Sequence, residues 1–281
     1  MSPRRVLVLA TLCAAALGTP AAAEAATTTS SNWAGYAVST PGLKYRRVAA
    51  TWVVSPATCS ATGRRHFSAS WLGLGGYHTT STALEQIGTE VDCTARGTPS
   101  YAAWYELVPA APVDIHLTVR PGDTVSASVT VSGHTVKLFL ANRTRGTRFS
   151  KQLTAGRIDL TSAEWIVEAP SACYGERCLT LPLANFGTTT FAGANTTTTT
   201  GHQGTIADPA WKATAIALRA GGRHAFGGGR FAADDAMGGA SPGALSATGD
   251  GFVVAYEEQT QQTQQTQPAP TGNPVGGTPP T

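Results

Sequence analysis

A long alternating stretch in the middle of the chain decides the fold class, and it reads Ser126-Ala127-Ser128-Val129-Thr130-Val131-Ser132-Gly133-His134-Thr135-Val136-Lys137-Leu138-Phe139-Leu140. Polar and apolar residues alternate on both sides of the Ser-Gly pair, which is typical of turns. Side chains two apart share one face of a strand, so the alternation suits a strand and not a helix. The stretch therefore predicts a β-hairpin.

Similar strand signals recur along most of the chain, separated by Gly, Pro, Asn and Ser. They cover residues 48–54, 67–74, 84–90, 101–107, 114–119, 124–131, 135–141 and 163–168. Helical periodicity is scarce, and only residues 208–218 could hold a short helix. Many short strands with regular turns predict an all-β sandwich or barrel.

The first 26 residues have the pattern of a signal peptide. Arg4 and Arg5 precede an apolar run over residues 6–17, and Ala-rich cleavage sites follow. The run is too short to anchor the chain in a bilayer, and no second run of this kind follows it. The sequence thus predicts a secreted, extracellular protein without a membrane anchor.

The rest of the chain is predicted to form one β-sandwich domain over residues 27–258 and a disordered tail over residues 259–281. The tail is rich in Gln, Thr, Pro and Gly and carries no charge, so it cannot bury enough surface to fold. Removing the signal takes away two basic residues and one acidic residue, which lowers the formal net charge from +3 to about +2. We expect a monomer that does not bind nucleic acid.

The cysteines agree with export. Cys13 lies in the signal, and the even number that an oxidising compartment favours remains: Cys59, Cys93, Cys173 and Cys178. Cys173 and Cys178 flank a short loop, which favours their pairing and leaves Cys59 for Cys93. A zinc site is the alternative, but no histidine lies near them at ligand spacing, so we expect no metal.

Two predicted strands carry side chains that suit chemistry, and they read Leu84-Glu85-Gln86-Ile87-Gly88-Thr89-Glu90 and Ala163-Glu164-Trp165-Ile166-Val167-Glu168. Strand parity places Glu168 on the face opposite Trp165, which is the natural core residue. A Glu can take a proton from water, and the amide of Gln86 can donate hydrogen bonds to an oxyanion. The pair suggests an active site on a sheet face, although polar residues outside a sandwich are also ordinary.

Other hydrolase chemistries find little support, because the sequence has no His-Glu-x-x-His, Gly-x-Ser-x-Gly, Asp-Thr-Gly or Asp-Ser-Gly motif. Two alternatives stay open. A β-sandwich glycoside hydrolase needs two carboxylates roughly 5–10 Å apart. Glu164 and Glu168 would be about 13 Å apart along a strand, but Glu90 facing Glu168 would restore the pair. A non-catalytic, lectin-like module would use Trp33 and Trp104 as stacking platforms.

Seven motifs, in this order, resemble those of the eqolisins, the glutamic endopeptidases, over roughly residues 30–256. They are Ser31-Asn32-Trp33-Ala34-Gly35-Tyr36, Ala50-Thr51-Trp52-Val53-Val54, Trp71-Leu72-Gly73-Leu74-Gly75-Gly76, Glu85-Gln86-Ile87-Gly88, Tyr101-Ala102-Ala103-Trp104-Tyr105-Glu106, Ala163-Glu164-Trp165-Ile166-Val167-Glu168 and Pro182-Leu183-Ala184-Asn185-Phe186.

The resemblance implies two antiparallel, strongly bent sheets in a lectin-like (concanavalin-like) sandwich, with the active site on the concave face. It implies that Gln86 and Glu168 are the catalytic residues, and that Trp33, Trp104 and Glu106 line or support the cleft. The resemblance therefore implies a secreted acid endopeptidase that cleaves polypeptides without a cofactor, a metal or a covalent intermediate. In that mechanism Glu168 rests ionised and acts as a general base on water, while Gln86 stabilises the oxyanion.

Strand parity adds a geometric expectation: Gln86 and Glu168 should project from neighbouring strands into one open groove. The chain also departs from the fungal eqolisins at two positions, because Gly75 and Ala102 stand where those proteins have Asp. These acids belong to the surroundings of the site, so we expect their loss to change the pH optimum and the substrate preference.

Overall fold

The computed structural model describes residues 25–174, 177–219 and 238–258. Most of the predicted signal peptide and the whole predicted tail lie outside these ranges. The described part contains eighteen strands and no helix. The strands are β1 Ala26–Ser30, β2 Trp33–Ser39, β3 Tyr45–Val53, β4 His66–Gly75, β5 Leu84–Cys93, β6 Pro99–Val108, β7 Val113–Ile115, β8 Thr124–Ser132, β9 Thr135–Asn142, β10 Thr147–Thr154, β11 Ser162–Glu168, β12 Ser171–Tyr174, β13 Arg177–Thr180, β14 Thr188–Thr198, β15 Gln203–Thr205, β16 Lys212–Leu218, β17 Gly239–Pro242 and β18 Phe252–Glu257.

The predicted short helix over residues 208–218 is wrong. Lys212–Leu218 is strand β16, and its side chains alternate between more and less buried positions with the period of a strand. Antiparallel pairing with β2 fixes this segment as a strand. In the described ranges, no helix has the length and apolar character that a membrane crossing requires.

A single hydrogen-bonded sheet, almost entirely antiparallel, contains sixteen strands, fourteen of which follow one another. Its order is β10-β9-β8-β3-β14-β18-β17-β16-β2-β11-β4-β5-β6-β7, with β1 beside β16 and β15 beside β14. Strand β1 pairs with β16 in the parallel sense. Strands β12 and β13 form a separate two-stranded sheet.

The long sheet folds over, so that its two halves face each other across the hydrophobic core. Two tryptophans link the halves: Trp165 Nε1 on β11 donates to the carbonyl oxygen of Ala49 on β3 at 3.0 Å. Trp52 Nε1 on β3 donates to Thr89 Oγ1 on β5, also at 3.0 Å. The all-β sandwich is confirmed, and the continuous sheet makes it nearly barrel-like.

The predicted hairpin is confirmed as β8 and β9. Val125, Val129 and Leu138 point into the core and are fully buried, while the serines between them point outward. Gly133 turns the chain with a φ of +59°, a region that a residue with a side chain rarely adopts. Each large apolar side chain buried in this way contributes about 1.5–3 kcal/mol.

The predicted disulfide between Cys59 and Cys93 is confirmed, and it ties a loop to the end of β5. For the second predicted pair, the register places Cys173 directly opposite Cys178, and Cys178 is disulfide-bonded. The side chain of Cys173 lies outside the described residues, so the Cys173–Cys178 bridge stays a prediction.

Candidate active site

The predicted site residues lie on the outer face of one half of the folded sheet, the second layer, which contains β2, β11, β4, β5 and β6. The first layer is the other half, which contains β3, β8, β9 and β14. The register aligns the outward side chains in three rows across these strands. The first row is Ala37, Glu164, Gly73, Gln86 and Glu106; the second is Gly35, Ile166, Trp71, Gly88 and Trp104; the third is Trp33, Glu168, Ala69, Glu90 and Ala102.

Gln86 and Glu168 both point away from the core, as strand parity predicts, while Trp165 and Val167 face into it. The expectation of neighbouring strands is wrong, because β4 lies between β11 and β5. Trp71 of β4 occupies the row between the two residues. Because the two strands are not adjacent, the indole of Trp71 lies between the side-chain amide of Gln86 and the carboxyl group of Glu168.

Gly88 gives Trp71 the room that it needs. A Cβ atom at Gly88 would lie 2.6 Å from the Cβ of Trp71 and 2.5 Å from the carbonyl oxygen of Ser70. The site therefore depends on a glycine two residues after Gln86 on the same strand.

Two N–H groups hold the carboxyl group of Glu168. Trp71 Nε1 donates to Oε2 at 2.8 Å, and Asn32 Nδ2 donates to Oε1 at 3.0 Å. The side chain of Trp33 interacts with the same carboxyl group and lowers its pKa. Ser30 fixes Asn32 in turn by donating to its side-chain oxygen at 3.1 Å. The carboxyl group is thus held at both oxygens.

The side-chain amide of Gln86 is oriented by Glu106. Gln86 Nε2 donates to Glu106 Oε2 at 2.7 Å. Gln86 is only 4% exposed, and its Oε1 receives no hydrogen bond from the described residues. The carbonyl oxygen of the amide is therefore a buried acceptor without a hydrogen-bond partner among the described residues.

Burial governs the protonation of both carboxyl groups. Burial and, second to it, the carboxylate of Glu106 raise the pKa of Glu168 to about 8, against the opposing effect of Trp71, Trp33 and Asn32. Burial likewise raises the pKa of Glu106 to about 7, opposed by the hydrogen bond from Gln86. In acid Glu168 therefore holds a proton, which corrects the expectation of an ionised resting base.

The floor around these groups is apolar and aromatic. Trp33 packs edge-on against Trp71, with ring centroids 5.0 Å apart. Both belong to one buried cluster whose other members are Ala37, Ala69, Leu84, Trp104, Ile166 and Ile216. Trp33 and Trp104, predicted to line the cleft, both lie in this floor.

Sequence reasoning assigned no role to Asn32 or Trp71, although both lie inside motifs quoted above. The role of Trp71 could have been found from strand parity, because Trp71 lies two residues before Gly73 and therefore on the same face of the strand. The role of Asn32 could not be found this way, because the residue precedes β2 and reaches Glu168 only through the fold.

Glu90 lies in the same row as Glu168, with Ala69 between them. Strands are spaced by about 4.8 Å, so the two backbones are about 10 Å apart. Burial, together with Asp92 and Asp114, raises the pKa of Glu90 to about 7. This arrangement meets the geometric condition for a two-carboxylate glycoside hydrolase.

Gly75 owes its identity to the loop before β11. Its φ is +82°, and a Cβ atom there would lie 2.7 Å from both the Cβ and the carbonyl oxygen of Asp159. The carboxylate of Asp159 accepts hydrogen bonds from Ser81 and Thr161. Gly75, which replaces the Asp of the fungal proteins, is thus packed against the acidic side chain of Asp159.

Residues 25–174, 177–219 and 238–258 contain no group of three or more His, Cys, Asp or Glu side chains arranged to bind a metal ion.

The family comparison decides between the alternatives. The model of the peptidase A4 family matches residues 31–222, which is well over half of the chain. The chain belongs to the peptidase A4 family. This peptidase A4 member is therefore a peptide hydrolase of the glutamic type. Its family favours neither a glycoside hydrolase nor a non-catalytic binding module.

Solved structures agree with this assignment. Scytalido-glutamic peptidase, solved with a peptide-based transition state analog, is 25% identical with a TM-score of 0.61, covering 80% of this chain and 98% of that chain. SCP-B, a member of the eqolisin family solved with the tripeptide Ala-Ile-His, is 24% identical with a TM-score of 0.57, at the same coverage. Aspergilloglutamic peptidase from Aspergillus niger is 24% identical with a TM-score of 0.51, covering 68% and 99%. No curated protein sequence matches the chain significantly.

Proposed function

We propose that this peptidase A4 member is a secreted acid endopeptidase in which Gln86 and Glu168 carry out the hydrolysis. The observation that carries the proposal is the environment of Glu168: a carboxyl group on an aromatic floor, held at both oxygens by N–H donors from Asn32 and Trp71. A buried carboxyl group with a raised pKa can give and take protons under conditions in which an exposed one is ionised.

The polypeptide substrate lies across the aromatic floor, where Trp33 and Trp104 contact its side chains. The scissile carbonyl lies between the amide of Gln86 and the carboxyl group of Glu168. Gln86 Oε1 accepts a hydrogen bond from the attacking water, and its free N–H donates to the carbonyl oxygen. Glu106 is the positioning residue that keeps this N–H pointed into the cleft.

Hydrolysis begins with Glu168 protonated. Water forms a bond to the carbonyl carbon, the π electrons move to the carbonyl oxygen, and Glu168 supplies the proton that this oxygen takes up. The resulting carboxylate accepts a proton from the attacking water and acts as the base of the reaction. Glu168 then protonates the leaving nitrogen, the C–N bond breaks, and the remaining hydroxyl proton returns to Glu168 as the product carbonyl forms.

This protonation scheme sets the pH dependence. The reactive form needs a proton on Glu168, whose pKa is raised to about 8, and a neutral Glu106, whose pKa is raised to about 7. Activity should persist through the acid range and decline as the pH rises through these values. Because the two groups interact, the alkaline limb reports the pair and not either residue alone.

Export is part of the proposal. It is supported by the basic and apolar pattern of the first 26 residues and by the disulfide between Cys59 and Cys93, because such bridges persist in oxidising compartments. Mass determination of the N-terminus of protein recovered from culture medium tests it; a retained residue 1 would contradict it.

Substitutions at the two catalytic residues test the mechanism. Glu168→Gln should abolish casein digestion, because the amide that replaces the carboxyl group cannot give and take a proton. Gln86→Ala should reduce turnover by about 10²–10³, the effect of losing one oxyanion donor, and Gln86→Glu should fail as well. Glu258→Gln, at an exposed position, is the matched control and should keep full activity.

Glu90→Gln separates this mechanism from a two-carboxylate one. It should keep activity within about tenfold, since it removes no group that acts on the peptide in this scheme. Full activity in Glu168→Gln would refute the assignment of that residue. Loss of all activity in Glu90→Gln, with the fold intact by circular dichroism, would point to a second catalytic carboxyl.

A further inference from the structure

The outer face of the first layer carries a groove that peptide hydrolysis does not use. The groove has a volume of about 190 Å³ and is bordered by β3, β8, β9 and a bulge in β14. Val48 and Trp52 of β3 point into the core, whereas Arg47 and Thr51 line the groove. The whole hydrophobic core therefore separates this groove from the candidate active site.

Two arginines lie in the groove with neutral hydrogen-bond partners. Arg47 Nη1 donates to Asn195 Oδ1 at 3.0 Å, and Arg143 Nε donates to Ser126 Oγ at 2.7 Å. None of the ion pairs shown for the described residues involves either arginine. Burial lowers the pKa of Arg47. A partly desolvated cation thus stands in the groove with no carboxylate to balance it.

The strands around the groove are positively charged as well. Strands β3, β8, β9, β10 and β14 contain no Asp or Glu at all. The register places Lys137 in the same row as Arg47. It places Arg148 in the same row as Ser126. One face of the sandwich is therefore basic and rich in hydroxyl groups, although the protein as a whole is nearly neutral.

The groove also has an aromatic wall. Phe139 is half-buried and lines the groove, in one row with Ala49 and Ser128. Its ring lies among hydroxyl side chains and not in the core. An aromatic face beside a few placed polar groups is the composition of small-molecule sites.

We propose that this groove binds an acidic polysaccharide whose sugar rings carry sulfate or phosphate esters. The planar guanidinium groups match a tetrahedral oxyanion with two parallel hydrogen bonds, and the Phe139 ring and the hydroxyls suit the two sides of a sugar. The volume equals about six water molecules at ~30 Å³ each, which is room for one sugar ring. Binding there would hold the peptidase on an anionic polymer with its cleft facing away.

Titration of the full-length protein with dextran sulfate tests the proposal, with phosphorylated dextran as a second arm and neutral dextran as a control. Binding should be saturable, weaken as salt is added, and be absent with neutral dextran. The double substitution Arg47→Gln/Arg143→Gln should weaken it roughly tenfold or more. The double substitution Arg64→Gln/Arg96→Gln removes the same two charges at exposed positions outside this face and should change binding less than about twofold.

Phe139→Leu keeps all charges and removes the flat ring, so it should weaken binding roughly three- to tenfold. Equal affinity of Arg47→Gln/Arg143→Gln and Arg64→Gln/Arg96→Gln would overturn the proposal. So would wild-type affinity in Phe139→Leu, or tighter binding of a thymidine oligonucleotide than of either acidic dextran.

Casein digestion and the urea unfolding midpoint verify the fold of each variant, because the groove is remote from the cleft. If the Arg47 substitution prevents folding, the double substitution Lys137→Gln/Arg143→Gln replaces it. This variant removes two positive charges from the same face at exposed positions and should weaken binding to the same extent.

Discussion

Substitution of Glu85 by Gln should reduce the dependence of folding stability on pH by the contribution of this one carboxyl group. Glu85 is fully buried, and neither of its carboxyl oxygens has a hydrogen-bond partner among the described residues. Burial, and secondarily the carboxylate of Asp159, raises its pKa from the usual 4.5 to about 8. Glu164, also fully buried, has a pKa raised for the same leading reason.

The sign and size of the effect follow from these values. A carboxyl group whose pKa is raised by folding binds its proton more tightly in the native state, so stability is greatest below about pH 4.5 and falls as the pH rises toward about 8. Each pH unit in this window costs about 1.4 kcal/mol from Glu85, and the whole window costs about 5 kcal/mol. Glu164 contributes with the same sign. A typical domain has only about 5–15 kcal/mol of stability, so the loss is large.

Urea unfolding, followed by tryptophan fluorescence at several pH values between about 5 and 8, measures the effect. The slope of the unfolding free energy against pH should be less steep in Glu85→Gln by about 1.4 kcal/mol per unit. The buried amide itself costs about 1–3 kcal/mol at every pH, so the slope and not the absolute value is the test. Glu258→Gln, at an exposed position, should leave the slope unchanged. Parallel curves for Glu85→Gln and the wild type would refute the reasoning.

Two further substitutions examine the surroundings of the catalytic carboxyl group. Asn32→Ala removes an N–H donor that favours the ionised form of Glu168, so the alkaline limb of kcat/KM against pH should move to higher pH. An unmoved limb would contradict the assignment of that limb to Glu168. Gly88→Ala places a Cβ atom against Trp71, which should cost about 1–3 kcal/mol in urea unfolding and reduce turnover; wild-type behaviour would show that Trp71 can shift.

Period-two alternation was enough to place individual side chains on the correct face. It separated Glu168 from Trp165, and it predicted the hairpin of β8 and β9. The reason is that the face of a strand residue depends only on local parity and on which side is buried. The Cys59–Cys93 bridge was similarly accessible from cysteine number and spacing.

The strand order could not be predicted in the same way. Strand β4 separates the two catalytic strands because of pairings between distant segments, for which local sequence holds no signal. Strand β14 was missed because its Thr-rich sequence lacks alternation of polar and apolar residues. Residues 208–218 were misassigned because pairing with β2 overrides a weak local preference for helix. The raised pKa of Glu168 likewise depends on neighbours from other strands.

The loss of activity above neutral pH has two possible causes, and Glu85→Gln distinguishes them. Deprotonation of Glu168 disables the chemistry, while deprotonation of Glu85 destabilises the fold. Glu85 pairs with Leu74, a core residue, so it points away from the cleft and its substitution touches no group that contacts the peptide. If the chemistry is the cause, the variant should keep the alkaline limb of kcat/KM near the wild-type position while its unfolding midpoint rises relative to wild type as the pH increases. If the limb instead moves upward together with the stability, unfolding limits the wild-type enzyme, and the proton on Glu168 does not set its pH profile.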